Sequence, residues 1–360
     1  MSKSDTGVLE LLQKYQAQVD KSLEKVLPRK ATSKSLGLLI GPTRFKLHEE
    51  ALNKAINIPV WDFLDRGGKR WRPTLFLLIV DLLGKNPKEF VDFSTIFEFI
   101  HNGTLMVDDV EDSSSLRRGK PALHLIYGVD IAINAGNTIY YLPLKVLDRY
   151  KNKLSKDIFL AIYQTYINEM VMLGMGQGTD IVWHKGLVND LKISPAQYLQ
   201  MCAFKTGCLA RMASKMAAIV GGASPKLIDA FGQLGESLGV VFQIQDDILN
   251  ITESELSSKK GLGEDITEGK RSLPVIYAFS GLPLSKAARL RKILLMHTKD
   301  KELISEAIGL IKDGRGIKKA QKIMQKLFAD AWGELDPLLP KSDKKDRLYN
   351  LAYFLINRQS

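Results

Sequence analysis

Residues 105–112 read Leu105-Met106-Val107-Asp108-Asp109-Val110-Glu111-Asp112, and a related acidic stretch, Phe242-Gln243-Ile244-Gln245-Asp246-Asp247-Ile248-Leu249-Asn250, follows much later in the chain. Apolar residues recur at helical spacing in both, so Asp108 and Asp112 are predicted to lie on one helical face, one turn apart. Like charges one turn apart destabilise a helix unless a cation lies between them. The two stretches therefore predict helices whose acidic residues bind divalent metal ions.

The sparse prolines indicate a mostly helical protein. None falls between Pro143 and Pro195, or between Pro225 and Pro274. Those intervals carry apolar residues at three- and four-residue spacing, without the sustained alternation typical of strands. Of the 360 residues, 45% are hydrophobic and 25% are charged, which is typical of a globular protein with a large core. We therefore predict an all-α protein of about ten to thirteen helices.

Composition also excludes several classes of protein. The longest apolar run, residues 75–83, is interrupted by Asp81 and is shorter than the roughly 20 residues of a transmembrane helix. No apolar signal segment follows the N-terminus. Two cysteines, Cys202 and Cys208, suggest neither a disulfide framework nor a zinc site, and a cytoplasmic location is predicted. The net charge of +11 is interpreted first as a solvated surface rich in lysine, because no RNA-binding signature accompanies it.

The acidic stretches favour magnesium over other metals. Hard cations such as Mg²⁺ prefer carboxylate oxygens, keep several waters and are often completed by substrate phosphate oxygens. No histidine or cysteine nearby in sequence would suit a softer metal. Acid patches on a solvated surface are the simpler alternative, but the apolar flanks argue against it. The acids are therefore predicted to form a Mg²⁺–phosphate site.

Basic residues complete the predicted site. In the segment Gly67–Pro73 a glycine turn leads into a helix, and Lys69 and Arg72 are expected to share one helical face. Glycines allow a close backbone approach, and two cations at a helix N-terminus suit a diphosphate. Other cations lie near the acids: Arg117 and Arg118 after the first stretch, and Lys260 and Lys270 around the loop after the second. The pattern predicts a pocket for two polyanionic groups, one held through metals and one held directly.

These motifs together resemble those of the trans-isoprenyl diphosphate synthases, or polyprenyl synthetases, especially members that make geranylgeranyl diphosphate. The resemblance covers residues 45–280 in the family's order and rests on Gly68–Pro73, His101-Asn102, Asp108–Asp112, Arg117-Arg118-Gly119, Gly176-Gln177, Asp180, Lys205-Thr206, Phe242-Gln243, Asp246–Asn250 and Asp265–Lys270. It implies a single-domain isoprenoid synthase fold over residues 1–360, with helices around a deep central cavity. Residues 1–43 would form an N-terminal helix and loop, and residues 281–360 would form C-terminal helices.

The resemblance implies a role for each matching residue. The ligands of about three Mg²⁺ ions, shared with the substrate diphosphate, would be Asp108, Asp112 and Asp246, with Asp109 in support. Isopentenyl diphosphate would be held by Lys69, Arg72, His101 and Arg118. The allylic diphosphate would meet Arg117, Gln177, Asp180, Lys205, Thr206, Gln243, Asn250, Lys260 and Lys270. Catalysis is expected of Asp108, Asp112, Arg117, Lys205 and Asp246. Asn250 stands where the family usually has a third aspartate, although an amide oxygen still ligates hard cations.

The implied reaction is a Mg²⁺-dependent, head-to-tail condensation of isopentenyl diphosphate with an allylic diphosphate through an allylic cation. In the family, bulky aromatic residues one turn before the first acid motif stop the product at about fifteen carbons. Gly103 and Thr104 occupy that turn here, so we predict a product of about twenty carbons or more. Candidates for the floor of the pocket are Ile100, Phe97, Tyr140 and Tyr141.

Three other functions stay open at this point. A class I terpene cyclase would share the fold and the first acid motif, but it would leave Lys69, Arg72 and Arg118 unexplained. A non-catalytic subunit of a prenyl diphosphate synthase would not need both acid motifs. A basic helical protein could bind nucleic acid or a membrane surface. The resemblance instead implies a homodimer without nucleic acid, whose product is expected to partition into membranes.

Overall fold

The computed structural model describes residues 3–252 and 263–357, and these are almost wholly helical. The only strands in that part of the chain form a hairpin in which Leu116–Arg117 (β1) pairs antiparallel with Lys120–Pro121 (β2). The all-α prediction is confirmed. Within the described residues, no helix is both long and apolar enough to span a membrane.

The described residues form eighteen α-helices, more than the ten to thirteen predicted, and their numbers follow chain order. The first nine are α1 (Lys3–Val26), α2 (Ser33–Ile40), α3 (Glu49–Leu52), α4 (Ile58–Asp65), α5 (Trp71–Leu82), α6 (Val91–Glu111), α7 (Leu123–Tyr127), α8 (Val129–Asp148) and α9 (Lys156–His184). The others are α10 (Pro195–Cys202), α11 (Cys208–Gly221), α12 (Pro225–Asn250), α13 (Glu264–Thr267), α14 (Leu273–Gly281), α15 (Leu284–Leu295), α16 (Lys301–Asp313), α17 (Gly316–Leu335) and α18 (Asp343–Ile356). Two π turns, Asn53–Asn57 and Ala203–Gly207, join α3 to α4 and α10 to α11. Short 3₁₀ helices lie at Pro87–Phe90, Asp190–Lys192 and Asp336–Leu338.

Helix α2 corrects the prediction that residues 1–43 contain one helix and a loop. A capping box starts this helix: the Thr32 hydroxyl accepts from the Ser35 N–H at 3.2 Å, and the Ser35 hydroxyl accepts from the Thr32 N–H at 2.9 Å. Reciprocal bonds of this kind satisfy first-turn donors that otherwise have no partner. Gly41 ends the helix at φ +87°. Pro28 and Pro42 flank this segment, and eight residues are too few for a clear periodic pattern.

Contacts divide the chain into two compact units. The first holds residues 1–163, 216–223 and 342–350. In its core α6 packs along α8 and α5, and fully buried aromatic rings meet there, with the Phe76 and Phe93 centroids 5.0 Å apart. α6 crosses α8 closely, because a Cβ atom added to Gly103 would lie only 2.8 Å from the Gly136 carbonyl oxygen. This packing fixes the helix that carries the first acid motif.

The second unit holds residues 164–215, 224–341 and 351–360. Here α12 packs along α17 and against the π turn at residues 203–207. A separate apolar cluster joins α14, α15 and α16, and includes Ala278, Leu290, Ile293 and Ile311 with no exposed surface. The second acid motif therefore lies at the C-terminal end of a helix that is packed along its length.

Candidate active site

The first acid motif lies at the C-terminal end of α6. Asp112 caps the helix, and its N–H donates to the Asp108 carbonyl oxygen at 2.8 Å. The Asp108 side chain is 18% exposed, whereas that of Asp109 is 1% exposed. Consecutive residues on a helix point about 100° apart, so one aspartate is directed inward and the other is accessible.

Asp109 is held by Arg117, which lies in β1. The Arg117 guanidinium donates to Asp109 Oδ1 from Nε at 2.7 Å and lies 2.5 Å from it at Nη2. The same Nη2 lies 3.8 Å from Asp108 Oδ2. Burial raises the pKa of Asp109, although Arg117 acts in the opposite direction. Asp109 Oδ2 is buried and makes no hydrogen bond within the described part of the chain. Two residues predicted for different roles thus form one cluster.

The hairpin that carries Arg117 and Arg118 is anchored to the end of α4. Arg66, the C-cap residue of that helix, donates to the Pro121 carbonyl oxygen at 2.8 Å and to that of Arg117 at 3.4 Å. Arg118 has φ +53°, lies with its guanidinium 5.2 Å from the Phe63 ring centroid and donates to the Gly67 carbonyl oxygen. Both cations next to the first acid motif are therefore fixed by contacts with α4 or the turn after it.

The glycine turn before α5 is confirmed, but it extends further than predicted. Gly68 has φ +144° and Arg70 has φ +49°, and α5 begins only at Trp71. Lys69 consequently lies exposed in the turn, while Arg72 is buried with its guanidinium 4.4 Å from the Trp71 ring centroid. The prediction that Lys69 and Arg72 share a helical face is wrong, because the left-handed residues delay the start of the helix.

His101 lies on α6 among arginines. Burial, followed by the charges of Arg72, Arg118, Arg70 and Arg117, holds the pKa of His101 well below its usual value of 6.5. Burial and neighbouring arginines also lower the pKa of Arg118 to about 10. Gathered like charges destabilise one another until an anion binds. The residues predicted to hold isopentenyl diphosphate thus include a cationic cluster around a neutral histidine.

Sequence reasoning missed the acid that supports this cluster. Glu98 is buried, and its Oε2 accepts from Arg70 at 3.0 Å and from the Asn102 amide at 3.2 Å. Arg70 also donates to Asp20 Oδ1 at 2.8 Å. A signal was present, because an acid between two phenylalanines on an apolar helix is costly unless it is paired.

The packing of α6 bears on the residues predicted to set product length. Phe97 and Ile100 have no exposed surface, as expected for a floor. A side chain at Gly103 would meet Gly136 and Ile139 of α8 at 2.8 and 2.9 Å, so this position does not open onto a cavity. Gly103 is therefore a helix-packing residue, and its predicted role in product length is not supported.

Two tyrosines of α8 behave differently. Burial, together with the charges of Glu111 and Asp108, raises the pKa of Tyr140, which indicates that its hydroxyl lies near the acid motif. Tyr141 is 69% exposed and forms no buried floor within this chain. Thr104 donates to the His101 carbonyl oxygen at 2.7 Å and lies one turn before Asp108, on the same helical face.

In the second acid motif, Asp247 is the inward aspartate. Its Oδ2 accepts from the Tyr198 hydroxyl at 2.5 Å and from the Leu273 N–H at 3.2 Å, and its Oδ1 accepts from the Gln243 amide at 3.0 Å. Burial raises the pKa of Asp247 to about 6. Asp246, one residue earlier, is only half-buried. The two motifs share one arrangement: an accessible first aspartate and a buried, hydrogen-bonded second one.

The π turn between α10 and α11 carries Lys205 and Thr206. Lys205 Nζ donates to Asp180 Oδ2 at 2.6 Å, and Lys270 Nζ lies 3.5 Å from the same oxygen. The Thr206 hydroxyl donates to Gln243 Oε1 at 3.1 Å. Five of the residues predicted for the allylic diphosphate are therefore linked into two groups of this unit: Asp180 with Lys205 and Lys270, and Thr206 with Gln243.

The remaining predicted residues differ in how they are placed. Gln177 is half-buried on α9, three residues before Asp180. The Asn250 side-chain oxygen accepts from the Asp265 N–H at 3.1 Å, so Asn250 anchors the first turn of α13. Lys260 lies outside the described residues.

The carboxylate oxygens of the first acid motif suit a hard cation whose remaining coordination positions are filled by water and substrate. Across residues 3–252 and 263–357, no three histidine, cysteine or acidic side chains converge into a metal site. Mg²⁺ commonly binds one or two carboxylates together with waters and substrate phosphates, so a smaller donor set suffices. Asp109 Oδ2 is buried, makes no hydrogen bond to any described residue and is suited to ligate a metal, and Asp108 is the preceding residue. The first motif therefore suits Mg²⁺ bound together with a diphosphate.

Comparison with known proteins identifies the family. Residues 53–311 match the sequence profile of the polyprenyl synthetases. The chain belongs to the polyprenyl synthetase family. It is 31% identical over 293 residues to a short chain isoprenyl diphosphate synthase of Methanothermobacter thermautotrophicus, which covers 81% of this chain and 87% of that protein. It is also 33% identical over 260 residues to a geranylgeranyl pyrophosphate synthase of Dictyostelium discoideum, with 72% and 80% covered.

Solved structures of family members share the fold. A geranylgeranyl pyrophosphate synthetase from Pyrococcus horikoshii superimposes with a TM-score of 0.82 at 26% identity, covering 97% of this chain and 98% of that one. A polyprenyl synthase from Caulobacter crescentus, solved with calcium and isoprenyl diphosphate, superimposes with a TM-score of 0.80 at 23% identity over the full length of both chains. The predicted family and its isoprenoid synthase fold are thus confirmed.

Proposed function

We propose that this polyprenyl synthetase condenses isopentenyl diphosphate head to tail with an allylic diphosphate and releases inorganic diphosphate. The observation that carries the proposal is the arrangement common to both acid motifs. Asp109 and Asp247 are buried and bonded to neighbouring side chains, while Asp108 and Asp246 are more accessible. Family membership supports the same reaction.

The two substrates are proposed to bind to different groups of cations. Isopentenyl diphosphate binds Arg72, Arg118 and exposed Lys69, and the anion offsets the burial and the like charges that lower the pKa of Arg118. His101 in its neutral form donates or accepts a hydrogen bond without adding charge. The allylic diphosphate binds Lys205, Lys270, Thr206 and Gln243, with Gln177 beside Asp180, and also Arg117 and Lys260.

The reaction begins when the allylic C1–O bond breaks and the diphosphate leaves with the electron pair. Lys205, Lys270 and Arg117 stabilise the growing negative charge of the leaving group through charge-assisted hydrogen bonds. The double-bond electrons of isopentenyl diphosphate then form the new carbon–carbon bond to allylic C1. The resulting cation loses a proton to the departed diphosphate, which restores a double bond and balances charge.

Magnesium, when bound, neutralises charge on the leaving diphosphate. Asp108, Asp112 and Asp246 are proposed to hold about three such ions together with substrate oxygens. Asp109 is proposed to orient Arg117 through the 2.7 Å hydrogen bond to Oδ1 and to support the metal ligands with its second oxygen, Oδ2. Asn250 is proposed to position the first turn of α13, because its side-chain oxygen accepts from the Asp265 N–H.

The product is proposed to contain about twenty carbons or more. The residues proposed to limit the growing chain are Thr104, Ile100 and Phe97, which lie toward the N-terminal side of Asp108 on α6. None of these except Phe97 is aromatic, and Phe97 lies about three turns before Asp108. On this face of α6, about three helical turns therefore separate Asp108 from the first aromatic side chain of the helix.

A homodimer is also proposed. Ile167, Val171 and Met175 follow each other at four-residue spacing on α9, and each is more than half exposed. A row of exposed apolar side chains on one helical face is typical of a protein–protein interface. Sedimentation equilibrium of the protein should give twice the chain mass, and an Ile167→Glu, Val171→Glu variant should be monomeric.

Product analysis tests the proposed reaction. The protein is incubated with radiolabelled isopentenyl diphosphate, Mg²⁺ and allylic diphosphates of different length, and the products are separated by chromatography. The proposal predicts linear all-trans prenyl diphosphates that contain the label. Cyclic hydrocarbons formed from an allylic diphosphate alone would favour a terpene cyclase, and no product with any starter would favour a non-catalytic subunit.

A further inference from the structure

The π turn at Ala203–Gly207 gives two neighbouring side chains different directions. A π turn contains one more residue than a regular helical turn and is frequent at functional sites. Here Lys205 reaches Asp180 on α9 at 2.6 Å, while Thr206 reaches Gln243 on α12 at 3.1 Å. The placement of both groups therefore depends on what keeps this irregular turn in place.

Two glycines allow neighbouring helices to approach the π turn closely. A Cβ atom added to Gly176 of α9 would lie 2.3 Å from the Lys205 backbone nitrogen. A Cβ atom added to Gly239 of α12 would lie 2.6 Å from Gly207 Cα. The turn is thus enclosed by helix backbone on two sides, but steric contact alone does not specify a π turn rather than a regular one.

Arg211 supplies specific polar contacts to the same turn. It lies one helical turn after Gly207, is buried, and donates from Nη1 to the Ala203 carbonyl oxygen at 3.3 Å. Its guanidinium also donates to Glu169 of α9, from Nε at 2.8 Å and from Nη2 at 2.6 Å, and to Glu236 of α12. One side chain therefore ties the first residue of the π turn to both flanking helices.

The contacts of Arg211 indicate a structural role rather than a role in binding substrate. Arg211 bonds two carboxylates of its own unit. Burial acts to lower its pKa, but the hydrogen bonds and charges of Glu169 and Glu236 more than offset this and raise the pKa, so the group stays cationic. The planar guanidinium presents several donors in fixed directions, which allows it to fix a carbonyl oxygen and two carboxylates simultaneously. A buried arginine with these partners is suited to hold a backbone geometry.

We propose that Arg211 is a positioning residue, which keeps Ala203–Gly207 in the π conformation and thereby places Lys205 and Thr206 for the leaving diphosphate. The inference rests on the proposed function for its catalytic consequence. Loss of Arg211 should weaken allylic diphosphate and inorganic diphosphate binding, because Lys205 and Thr206 would rotate away from their present positions. Binding of isopentenyl diphosphate, which uses Lys69, Arg72 and Arg118 of the other unit, should not change.

The test compares Arg211→Met with a matched control, Arg289→Met. Arg289 forms an exposed ion pair with Glu306 at 2.6 Å in the same unit. Removing one partner of a buried pair leaves an uncompensated charge, so Arg211→Met is also made together with Glu169→Gln. Three quantities are measured: hydrogen exchange of the amides at residues 203–207, calorimetric binding of inorganic diphosphate with Mg²⁺, and the KM of each substrate.

Both Arg211 variants should exchange the amides of residues 203–207 about tenfold faster and bind inorganic diphosphate about tenfold more weakly. The KM for the allylic substrate should rise by a similar factor with that for isopentenyl diphosphate unchanged, and Arg289→Met should match the wild type. Unchanged exchange and diphosphate affinity in the folded double variant would overturn the proposal. A fall in the active fraction with both KM values unchanged would also overturn the proposal, because a purely structural role predicts that result.

Exchange and diphosphate binding need no turnover. A wild-type protein that fails to elongate prenyl chains would therefore overturn the proposed function, while these two measurements would still decide the role of Arg211.

Discussion

Replacing Gly176 with alanine tests the close contact between α9 and the π turn that carries Lys205. The added Cβ atom would lie 2.3 Å from the Lys205 nitrogen, 2.7 Å from the Phe204 carbonyl carbon and 2.8 Å from Lys205 Cα. Contacts between non-bonded heavy atoms are optimal at about 3.5–4.0 Å, so α9 and the turn must separate by about 1 Å. Backbone atoms cannot rotate away as a flexible side chain can.

The expected loss of stability follows from two opposing effects. Overpacking of this kind costs about 1–3 kcal/mol, whereas alanine is favoured over glycine within a helix by about 1 kcal/mol. We expect Gly176→Ala to lower the free energy of unfolding by about 2 kcal/mol, because the atoms that it meets belong to the backbone. A displacement of about 1 Å at a reacting group can cost about a hundredfold in rate, so kcat/KM for the allylic substrate should fall by up to that factor.

Gly309 provides the matched control. It lies inside α16, and an added Cβ atom there would meet nothing within 4 Å. Gly309→Ala should therefore stabilise the protein by about 1 kcal/mol and leave kcat/KM unchanged. Urea unfolding and initial-rate kinetics of both variants are the assay. If Gly176→Ala is as stable and as active as Gly309→Ala, the inferred contact between α9 and the π turn does not exist.

Three further predictions concern α6. His101→Gln should remove a pH dependence of stability. The pKa of His101 in the folded state lies well below its value in the unfolded state, which is near 6.5. The neutral histidine therefore contributes to stability above about pH 6.5, and this contribution is lost as the pH falls below 6.5. Between about pH 7.5 and pH 5.5 the wild type should lose about 1.4 kcal/mol more than the variant in urea titrations, and equal losses would contradict the neutral histidine. Gly103→Ala should destabilise by about 1–3 kcal/mol, because its Cβ atom would lie 2.8 Å from the Gly136 carbonyl oxygen, and an unchanged urea midpoint would refute that crossing. Thr104→Phe should shorten the product by one five-carbon unit on chromatography at near-normal stability; a product of unchanged length would show that Thr104 does not line the tunnel.

Much of the site can be predicted from the sequence, because the residues that carry its chemistry lie in short, recognisable segments. Asp108, Asp246 and Lys205 are recognisable as charged residues in apolar helical segments, where an unpaired charge is costly. The glycine turn before Arg72 is likewise apparent from its composition. What composition did not reveal is the backbone at Arg70, whose left-handed conformation delays α5 and separates Lys69 from Arg72.

The supporting network could not be predicted, because its partners are far apart in the chain. Arg211 meets Glu169 on another helix, and Arg70 meets Glu98 and Asp20. Apart from Glu98, which stands between two phenylalanines, each of these acids and bases resembles an ordinary surface charge until the packing is known. The π turns are equally invisible, since nothing in the run Ala203–Gly207 distinguishes five such residues from a regular helix.

The different roles of the two aspartates in each motif could also be predicted only in part. Spacing predicts that Asp108 and Asp112 share a face, but it does not say that Asp109 turns inward to Arg117. In the second motif, Asp247 is directed to Gln243, one helical turn earlier, and also to Tyr198, which sequence spacing does not bring together with it. Burial, and not residue type, separates the two aspartates of each motif.

The most direct test of the proposed metal-binding aspartates is the rate of prenyl transfer in Asp108→Asn and Asp246→Asn. The rate is measured at saturating Mg²⁺ with labelled isopentenyl diphosphate. Asparagine preserves shape but removes one negative charge, so a residue that binds the metal with the leaving diphosphate should be sensitive to it. Each substitution should lower kcat by about a hundredfold or more, with urea midpoints close to that of the wild type. Near-normal turnover in either variant would contradict the proposed metal binding.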